Sequence, residues 1–266
     1  MSGSVLLDSS ASVTTVTLSQ VGKLNAMSRV MWRELRAAFE RIRGDAVARC
    51  VVVAGQAGNF CAGGDISEYA EFRFEPASLR QFHEGDVWPA LQAMLECNVP
   101  IVAGIEGQCM GAGMEIASCC DIRLAGMSAR FGAPIARLGF PMASKEARLI
   151  VREVGWSVAR QMLLEAATFR AVDMLAAGFL SRVNVDAELA AQVQAAVARL
   201  IELSPQAARL NKQTLRALAS PLEATDRSGG AAAGLNVQDD PDYCWADSAQ
   251  HREGIAAFLE KRKPVF

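Results

Sequence analysis

Two short segments rich in small residues carry the clearest chemical signal in this chain. The first, NFCAGGDI at residues 59–66, contains Gly63 and Gly64 just after an apolar run. The second, GQCMGAGME, begins at Gly107 and runs directly into a helix-like pattern. Small residues before a helix leave backbone N–H groups unblocked at its positive end, where an anion is stabilised. Two such loops that converge on one oxygen would form an oxyanion hole from main chain alone.

Glu115 is the side chain best suited to transfer a proton. It falls in the first turn of the helix predicted after the second loop, and its neighbours Met114, Ile116 and Ala117 are apolar. Poor solvation raises the pKa of a carboxyl group toward the range that suits acid–base catalysis. The alternative is a glutamate that only offsets the dipole at a helix N-terminus.

The two loops, in this order and spacing, resemble those of the crotonase, or enoyl-CoA hydratase/isomerase, family of acyl-CoA enzymes. Three further segments are similar to family motifs: KLNAMS at 23–28, RFGAPIARLGFP at 130–141 and EGIAAFLEKRKPVF at 253–266. The resemblance implies an α/β fold with a ββα spiral core over residues 1–203. It also implies a helical C-terminal region, residues 204–266, that builds homotrimers or hexamers.

The resemblance further implies a reaction through a thioester enolate, with no permanently bound cofactor and with coenzyme A as part of the substrate. It places the oxyanion donors at the backbone N–H groups of Gly64 and Ala112, and the acid–base carboxylate at Glu115. The coenzyme A portion would contact residues on several segments: Lys23, Ala26, Ala62, Gly64, Ile66, Phe258 and Lys261. Lys23 and Lys261 would meet the phosphates, the second from a neighbouring subunit.

One departure from the family pattern bears on the reaction. Hydratases of the family carry a second glutamate after the proline of the third motif, where this chain has Ile135. Hydration or isomerisation by the usual route then needs a replacement for that acid. Relatives that decarboxylate methylmalonyl-CoA also pair one glutamate with an aliphatic residue, but they have a tyrosine where this chain has Met142. Three alternatives stay open: a hydratase or isomerase, a decarboxylase or other carbon–carbon lyase, and a catalytically silent acyl-CoA-binding protein.

The segment at residues 66–95 borders the acyl pocket in the family and offers five polar candidates for a second acid: Glu68, Tyr69, His83, Glu84 and Asp86. His83 suits the role best, since the unperturbed pKa of histidine lies near neutrality. The simpler interpretation is a surface histidine on a polar helix. Arg137 and Lys145 flank the third motif and could meet an acidic acyl group or face solvent. Asp65 is predicted to cap the helix that follows it.

The composition indicates which classes of partner are not expected. Of the 266 residues, 51% are apolar and 21% are charged, which is typical of a globular protein. The formal net charge is −2, so neither nucleic acid nor an anionic membrane is expected as a partner. No apolar run reaches the ~18 residues of a transmembrane helix, and the first residues lack the pattern of a signal peptide.

The cysteines and histidines point to a reduced protein without a metal. Seven cysteines without regular spacing, with Cys119 and Cys120 adjacent in an apolar stretch, predict core thiols in a cytoplasmic protein. There are only two histidines, and no group of His, Cys and carboxylate residues has the spacing of metal ligands, so no metal is expected.

The pattern of apolar residues predicts the elements that position these loops. Strands are predicted at Val5–Leu18 (one or two), Cys50–Ala54, Val99–Ile105 and Ile122–Ala125. Helices are predicted at Ser28–Arg43, Ser67–Glu96 with boundaries at Pro76 and Pro89, Met114–Cys120, Lys145–Val154, Ser157–Leu164, Ala171–Ala177 and Ala187–Leu203. Strands that recur after helices favour a repeated ββα arrangement. Beyond about residue 204 the chain is predicted to be mostly helical, with a loop at Ser228–Asp242.

Overall fold

The computed structural model describes residues 3–219 and 245–266. The chain divides into two compact units, residues 1–200 and 201–266. The loop predicted at residues 228–242 lies outside the described residues.

Strands and helices alternate along the first unit, as the sequence predicts. The strands are β1 (Ser4–Ser10), β2 (Val13–Ser19), β3 (Cys50–Gly55), β4 (Ile101–Ile105), β5 (Gln108–Met110), β6 (Ile122–Gly126), β7 (Arg130–Gly132), β8 (Thr168–Arg170) and β9 (Arg182–Asn184). The α-helices are α1 (Arg29–Arg43), α2 (Pro76–Gln81), α3 (Trp88–Glu96), α4 (Ala112–Ser118), α5 (Ser144–Leu164), α6 (Ala171–Ala176) and α7 (Leu189–Ile201). The second unit contains α8 (Pro205–Ala219) and α9 (Ala249–Leu259).

Two sheets organise the first unit. One has the strand order β1-β2-β3-β4-β6-β9 and is parallel except for the antiparallel β1–β2 pair. The other has the order β5-β7-β8. The central strands β3 and β4 have apolar sequences, CVVVAG and IVAGI, because a central parallel strand is covered on both faces. Each is followed by one of the two small-residue loops, so the sheet delivers both loops to neighbouring positions.

Helix α1 confirms the helix predicted at residues 28–43. The Ser28 side chain accepts a hydrogen bond from the Met31 N–H and so caps the first turn. Gly44 ends the helix. Apolar residues at helical spacing bury one face: Met31, Trp32, Leu35, Ala38, Phe39 and Ile42.

Both prolines predicted to mark boundaries before β4 lie at the start of an α-helix. Pro76 begins α2, and Pro89 is the second residue of α3. Helical geometry continues from residue 76 to residue 96, with a π-helical turn at Phe82–Val87 between α2 and α3. In α5, by contrast, Gly155 has a left-handed φ of 76° and separates the two predicted helices.

The core is apolar and contains the thiols. The six described cysteines (Cys50, Cys61, Cys97, Cys109, Cys119 and Cys120) are all buried, which confirms that these thiols lie in the core, while Cys244 lies outside the described residues. Over the described ranges, no helix is both long enough and apolar enough to cross a bilayer. The same residues include no group of three or more His, Cys, Asp or Glu side chains that could hold a metal ion.

Candidate active site

The two small-residue loops lie side by side. The Cys61 N–H donates to the Gln108 carbonyl at 2.8 Å, and the Met110 N–H donates to the Cys61 carbonyl at 2.9 Å. A Cβ added at Gly113 would stand only 2.5 Å from the Cys61 carbonyl oxygen. Glycine at position 113 is therefore what allows the second loop to approach the first so closely.

The backbone amides of Gly64 and Ala112 face one cavity of about 340 Å³. Neither N–H donates a hydrogen bond to any described residue. Ala112 is the first residue of α4, and the first N–H groups of a helix have no acceptor within it. The structure thus brings together two unpaired donors at the positions that the sequence singled out.

Glu115 lines the same cavity, on the first turn of α4. Burial and, to a smaller extent, the nearby negative charge of Glu146 raise the pKa of its carboxyl group to about 8, although the positive charge of Arg73 acts in the opposite direction. The predicted poor solvation of this carboxylate is confirmed. At neutral pH the Glu115 carboxyl group is mostly protonated and can donate a proton.

Ile135 lines the cavity where the family pattern would supply a second carboxylate. Of the five polar candidates from residues 66–95, only Tyr69 and His83 line it. The other three have partners elsewhere: Glu68 accepts from the Arg29 N–H, Asp86 is paired with Arg29 and Arg33, and Glu84 with Lys145. Arg137 lines the cavity, and its Nη2 donates to the Ala166 carbonyl.

His83 is paired with a second buried carboxylate. Its Nδ1 lies 3.1 Å from Oε1 of Glu146, on helix α5. The Glu146 side chain is 3% exposed and is not part of the cavity lining. Reasoning from the sequence missed Glu146, because a glutamate in SKEAR near the start of a helix is typical of a solvent-facing position.

Arg73 also lines the cavity, where its guanidinium group lies over two aromatic rings. The centre of its guanidinium group lies 3.6 Å from the centroid of the Phe140 ring and 4.3 Å from that of Tyr69. Burial lowers the pKa of Arg73, although the neighbouring Tyr69 and Glu115 favour its charged form. No pattern in the sequence marks Arg73 as functional, since it lies in an irregular segment after a short 3₁₀ helix.

Lys23, predicted to bind a phosphate, is held by Asp65. Its Nζ lies 2.6 Å from Oδ2 of Asp65 and 2.6 Å from Oγ of Ser67. Asp65 also accepts from the Ser67 N–H, which confirms the predicted cap. Burial alone would raise the pKa of Asp65, but hydrogen bonds from Lys23, Ser67 and Gln20 lower it to about 2. The Lys23 side chain is still 44% exposed.

The other predicted coenzyme A residues fall into two groups. Ala62, Gly64 and Ile66 line the cavity, and Ala26 is buried on the neighbouring segment. Phe258 and Lys261 belong to the second unit, where both are exposed. Their contact with the coenzyme stays a prediction.

Comparison with known sequences assigns the family. The model of the family described as Enoyl-CoA hydratase/isomerase matches residues 8–266. The chain therefore belongs to the enoyl-CoA hydratase/isomerase, or crotonase, family, and acyl-CoA is the substrate that this family implies.

Individual relatives match over nearly the whole chain. The 2,3-dehydroadipyl-CoA hydratase of Escherichia coli is 32% identical over 96% of this chain and 94% of its own length. The crystal structure of an enoyl-CoA hydratase/carnitine racemase from Magnetospirillum magneticum is 33% identical, with coverage of 98% and 94% and a TM-score of 0.89. AtuE from Pseudomonas aeruginosa is 30% identical, with coverage of 98% for both chains and a TM-score of 0.84. These matches confirm the predicted family and its mixed α/β crotonase fold with C-terminal helices.

Proposed function

We propose that this protein is an enoyl-CoA hydratase that acts through a thioester enolate, with Glu115 as the proton donor. The observation that carries the proposal is one cavity lined by both Glu115, whose pKa is raised to about 8, and the unpaired amides of Gly64 and Ala112. The Escherichia coli relative is a 2,3-dehydroadipyl-CoA hydratase, which supports this choice of reaction.

The two amides would stabilise the charge that develops on the substrate. When water adds to the β-carbon of an enoyl thioester, an electron pair moves to the carbonyl oxygen. The N–H groups of Gly64 and Ala112 would donate to that oxygen. A preorganised donor of this kind contributes roughly 3 kcal/mol to transition-state stabilisation. Because both donors belong to the backbone, their placement does not depend on a side-chain rotamer.

His83 would replace the absent second glutamate. With Nδ1–H donating to the Glu146 carboxylate, Nε2 keeps a lone pair that can take a proton from water. The water oxygen then bonds to the β-carbon, the π electrons form the enolate, and the Glu115 proton moves to the α-carbon. Proton exchange with solvent returns both groups to their starting states. Glu146 would be a positioning residue, because it acts through His83.

The test is proton NMR of crotonyl-CoA with the enzyme in heavy water, alongside Glu115→Gln. We expect 3-hydroxybutyryl-CoA with deuterium at the α-carbon, and turnover lowered about 10³-fold or more in the variant. Coenzyme A binding should persist, because the amide keeps the shape of the side chain. Undiminished turnover by Glu115→Gln would remove this residue from the mechanism.

The same samples separate the alternatives. Conversion of methylmalonyl-CoA to propionyl-CoA, without hydration of crotonyl-CoA, would favour a decarboxylase. Tight binding of acyl-CoA with no exchange of α-protons, for every acyl chain tested, would favour a silent binding protein.

We further propose that the protein assembles as a homotrimer or hexamer through its second unit. Large apolar side chains there are exposed: Leu215, Leu218, Phe258, Leu259 and Val265. Such residues are typical of a surface covered by a partner. Light scattering after gel filtration should give three or six times the mass of 28.4 kDa, and a monomer would contradict the proposal. In such an assembly, Phe258 and Lys261 would contact coenzyme A.

A further inference from the structure

Arg73 brings a positive charge without a hydrogen-bond partner into the cavity. Within residues 3–219 and 245–266, no side-chain atom of Arg73 donates a hydrogen bond, and its Nη1 is shielded from solvent. Arg123 provides the internal comparison, because its buried guanidinium group donates to the carbonyls of Phe179 and Cys120 and to the Glu153 carboxylate. Buried guanidinium groups are normally paired in this way. Arg73 is half-buried, and its shielded Nη1 has no acceptor among the described residues.

The aromatic rings hold Arg73 in a geometry suited to binding an anion. The rings of Phe140 and Tyr69 lie close to its guanidinium group. Stacking on an aromatic face restrains the guanidinium plane and leaves the N–H groups at its edge free to donate. Two parallel N–H donors match the two oxygens of a carboxylate.

The charges around the cavity favour the same ligand. Glu115 is the only carboxylate among the described residues that line it, whereas Arg73 and Arg137 are positively charged. Because Glu115 is mostly protonated at neutral pH, it compensates little of the charge on Arg73. An acyl group with its own negative charge would supply the missing partner.

We propose that the natural acyl group ends in a carboxylate and that Arg73 binds this carboxylate. The identity of the thioester rests on the proposed function, while the acidic end rests on Arg73 and its surroundings. The substrate class is then a 2-enoyl-CoA derived from a dicarboxylic acid. A chain that ends in a quaternary ammonium group would be repelled.

Binding of saturated acyl-CoA tests this inference without requiring turnover. Calorimetry would compare adipyl-CoA with hexanoyl-CoA, which differ at the end of the chain, for the unmodified protein, Arg73→Met and Arg73→Lys. We expect the unmodified protein to prefer adipyl-CoA, and Arg73→Met to lose about 10- to 100-fold in affinity for adipyl-CoA alone. Arg73→Lys keeps the charge but not the paired donors, so it should retain part of the preference.

Arg160→Met is the matched control. Arg160 also lies over an aromatic ring, that of Trp156, but it is exposed and does not line the cavity. This variant should keep the preference for adipyl-CoA. Thermal melting of all variants would establish that each is folded.

Three results would overturn the inference: equal affinity of the unmodified protein for the two ligands, equal loss for both in Arg73→Met, or no loss for either. Equal loss would mean that Arg73 acts as a counter-ion to Glu115. The proposed function fails separately. If the protein prefers adipyl-CoA through Arg73 but hydrates no enoyl-CoA, the inference stands and hydration is refuted. If it hydrates hex-2-enoyl-CoA and its ω-carboxylate equally well, with or without Arg73, hydration stands and the inference is refuted.

Discussion

The cavity has two walls that are built by different means. One is the backbone of the loops at residues 59–66 and 107–113, which presents the amides of Gly64 and Ala112. The other is made of side chains on separate segments, chiefly Arg73, His83 and Phe140. In the proposed mechanism the first wall would serve any thioester, because it would contact only the carbonyl oxygen. The second wall would contact the rest of the acyl group and the water, so it would decide the reaction and the substrate.

The largest effect should come from the carboxyl group on the backbone wall. The pKa of Glu115 rises from 4.5 to about 8 on folding, so the unfolded chain ionises first as pH increases. Ionisation of Glu115 therefore does not affect the free energy of unfolding below about pH 4. Between about pH 4 and pH 8 it lowers that free energy progressively, by at most about 5 kcal/mol. Urea unfolding should show Glu115→Gln gaining stability relative to the unmodified protein between pH 5 and pH 8.5. A stability difference that does not change with pH would contradict the buried, protonated state.

The backbone wall should be sensitive to the loss of one N–H group. Ala112→Pro removes the amide hydrogen at a position where proline is compatible with the first turn of α4. We expect kcat to fall about 100- to 1000-fold. Ala112→Gly, which keeps the N–H, is the matched control and should lose far less. Similar losses in the two variants would mean that Ala112 matters for packing and that the donor lies elsewhere.

The side-chain wall should lose activity when the proposed base is removed. His83→Gln should lower kcat/KM about 100-fold. Glu146→Gln should lower it less, because Glu146 acts through His83. The high-pH limb of the profile, near the pKa of about 8 for Glu115, should survive in both variants. Glu84→Gln, which changes an exposed carboxylate beside His83, is the control. An undiminished kcat/KM in His83→Gln would exclude His83 as the base.

The smallest effect should occur where the two walls touch. A Cβ at Gly64 would overlap the hydroxyl group of Tyr69. Gly64→Ala should therefore displace the Tyr69 ring and lower kcat/KM about 10-fold. Removing the hydroxyl with Tyr69→Phe should restore most of this loss in the double variant. Additive losses in steady-state kinetics would show that the two residues do not interact.

The contrast between the walls also explains what the sequence could predict. The backbone wall is encoded locally, since Gly63, Gly64 and Ala112 stand beside apolar runs whose lengths and periods indicate a strand and a helix. Glu115 could be selected because its neighbours are apolar. Helix α1 could also be predicted, because its apolar residues recur at helical spacing over about four turns.

The side-chain wall has no local signature. His83 and Glu146 are 63 residues apart, and only the tertiary fold brings them together. Arg73 follows a short 3₁₀ helix at Ile66–Glu71, where no periodicity separates inside from outside. The three-residue strands β5, β7, β8 and β9 were missed for a related reason, because alternation cannot be recognised over so few residues.

The π turn at Phe82–Val87 has a consequence for how this cavity could change in evolution. A π turn closes its hydrogen bonds over five residues instead of four, so it holds one residue more than an α-helical turn. Deleting one residue there would restore α geometry and rotate the preceding part of the helix by about 100°. His83 would then leave its position near Glu146 although no residue type had changed. A single-codon deletion, with the loops at residues 59–66 and 107–113 untouched, would therefore displace the proposed base and leave the amides of Gly64 and Ala112 in place.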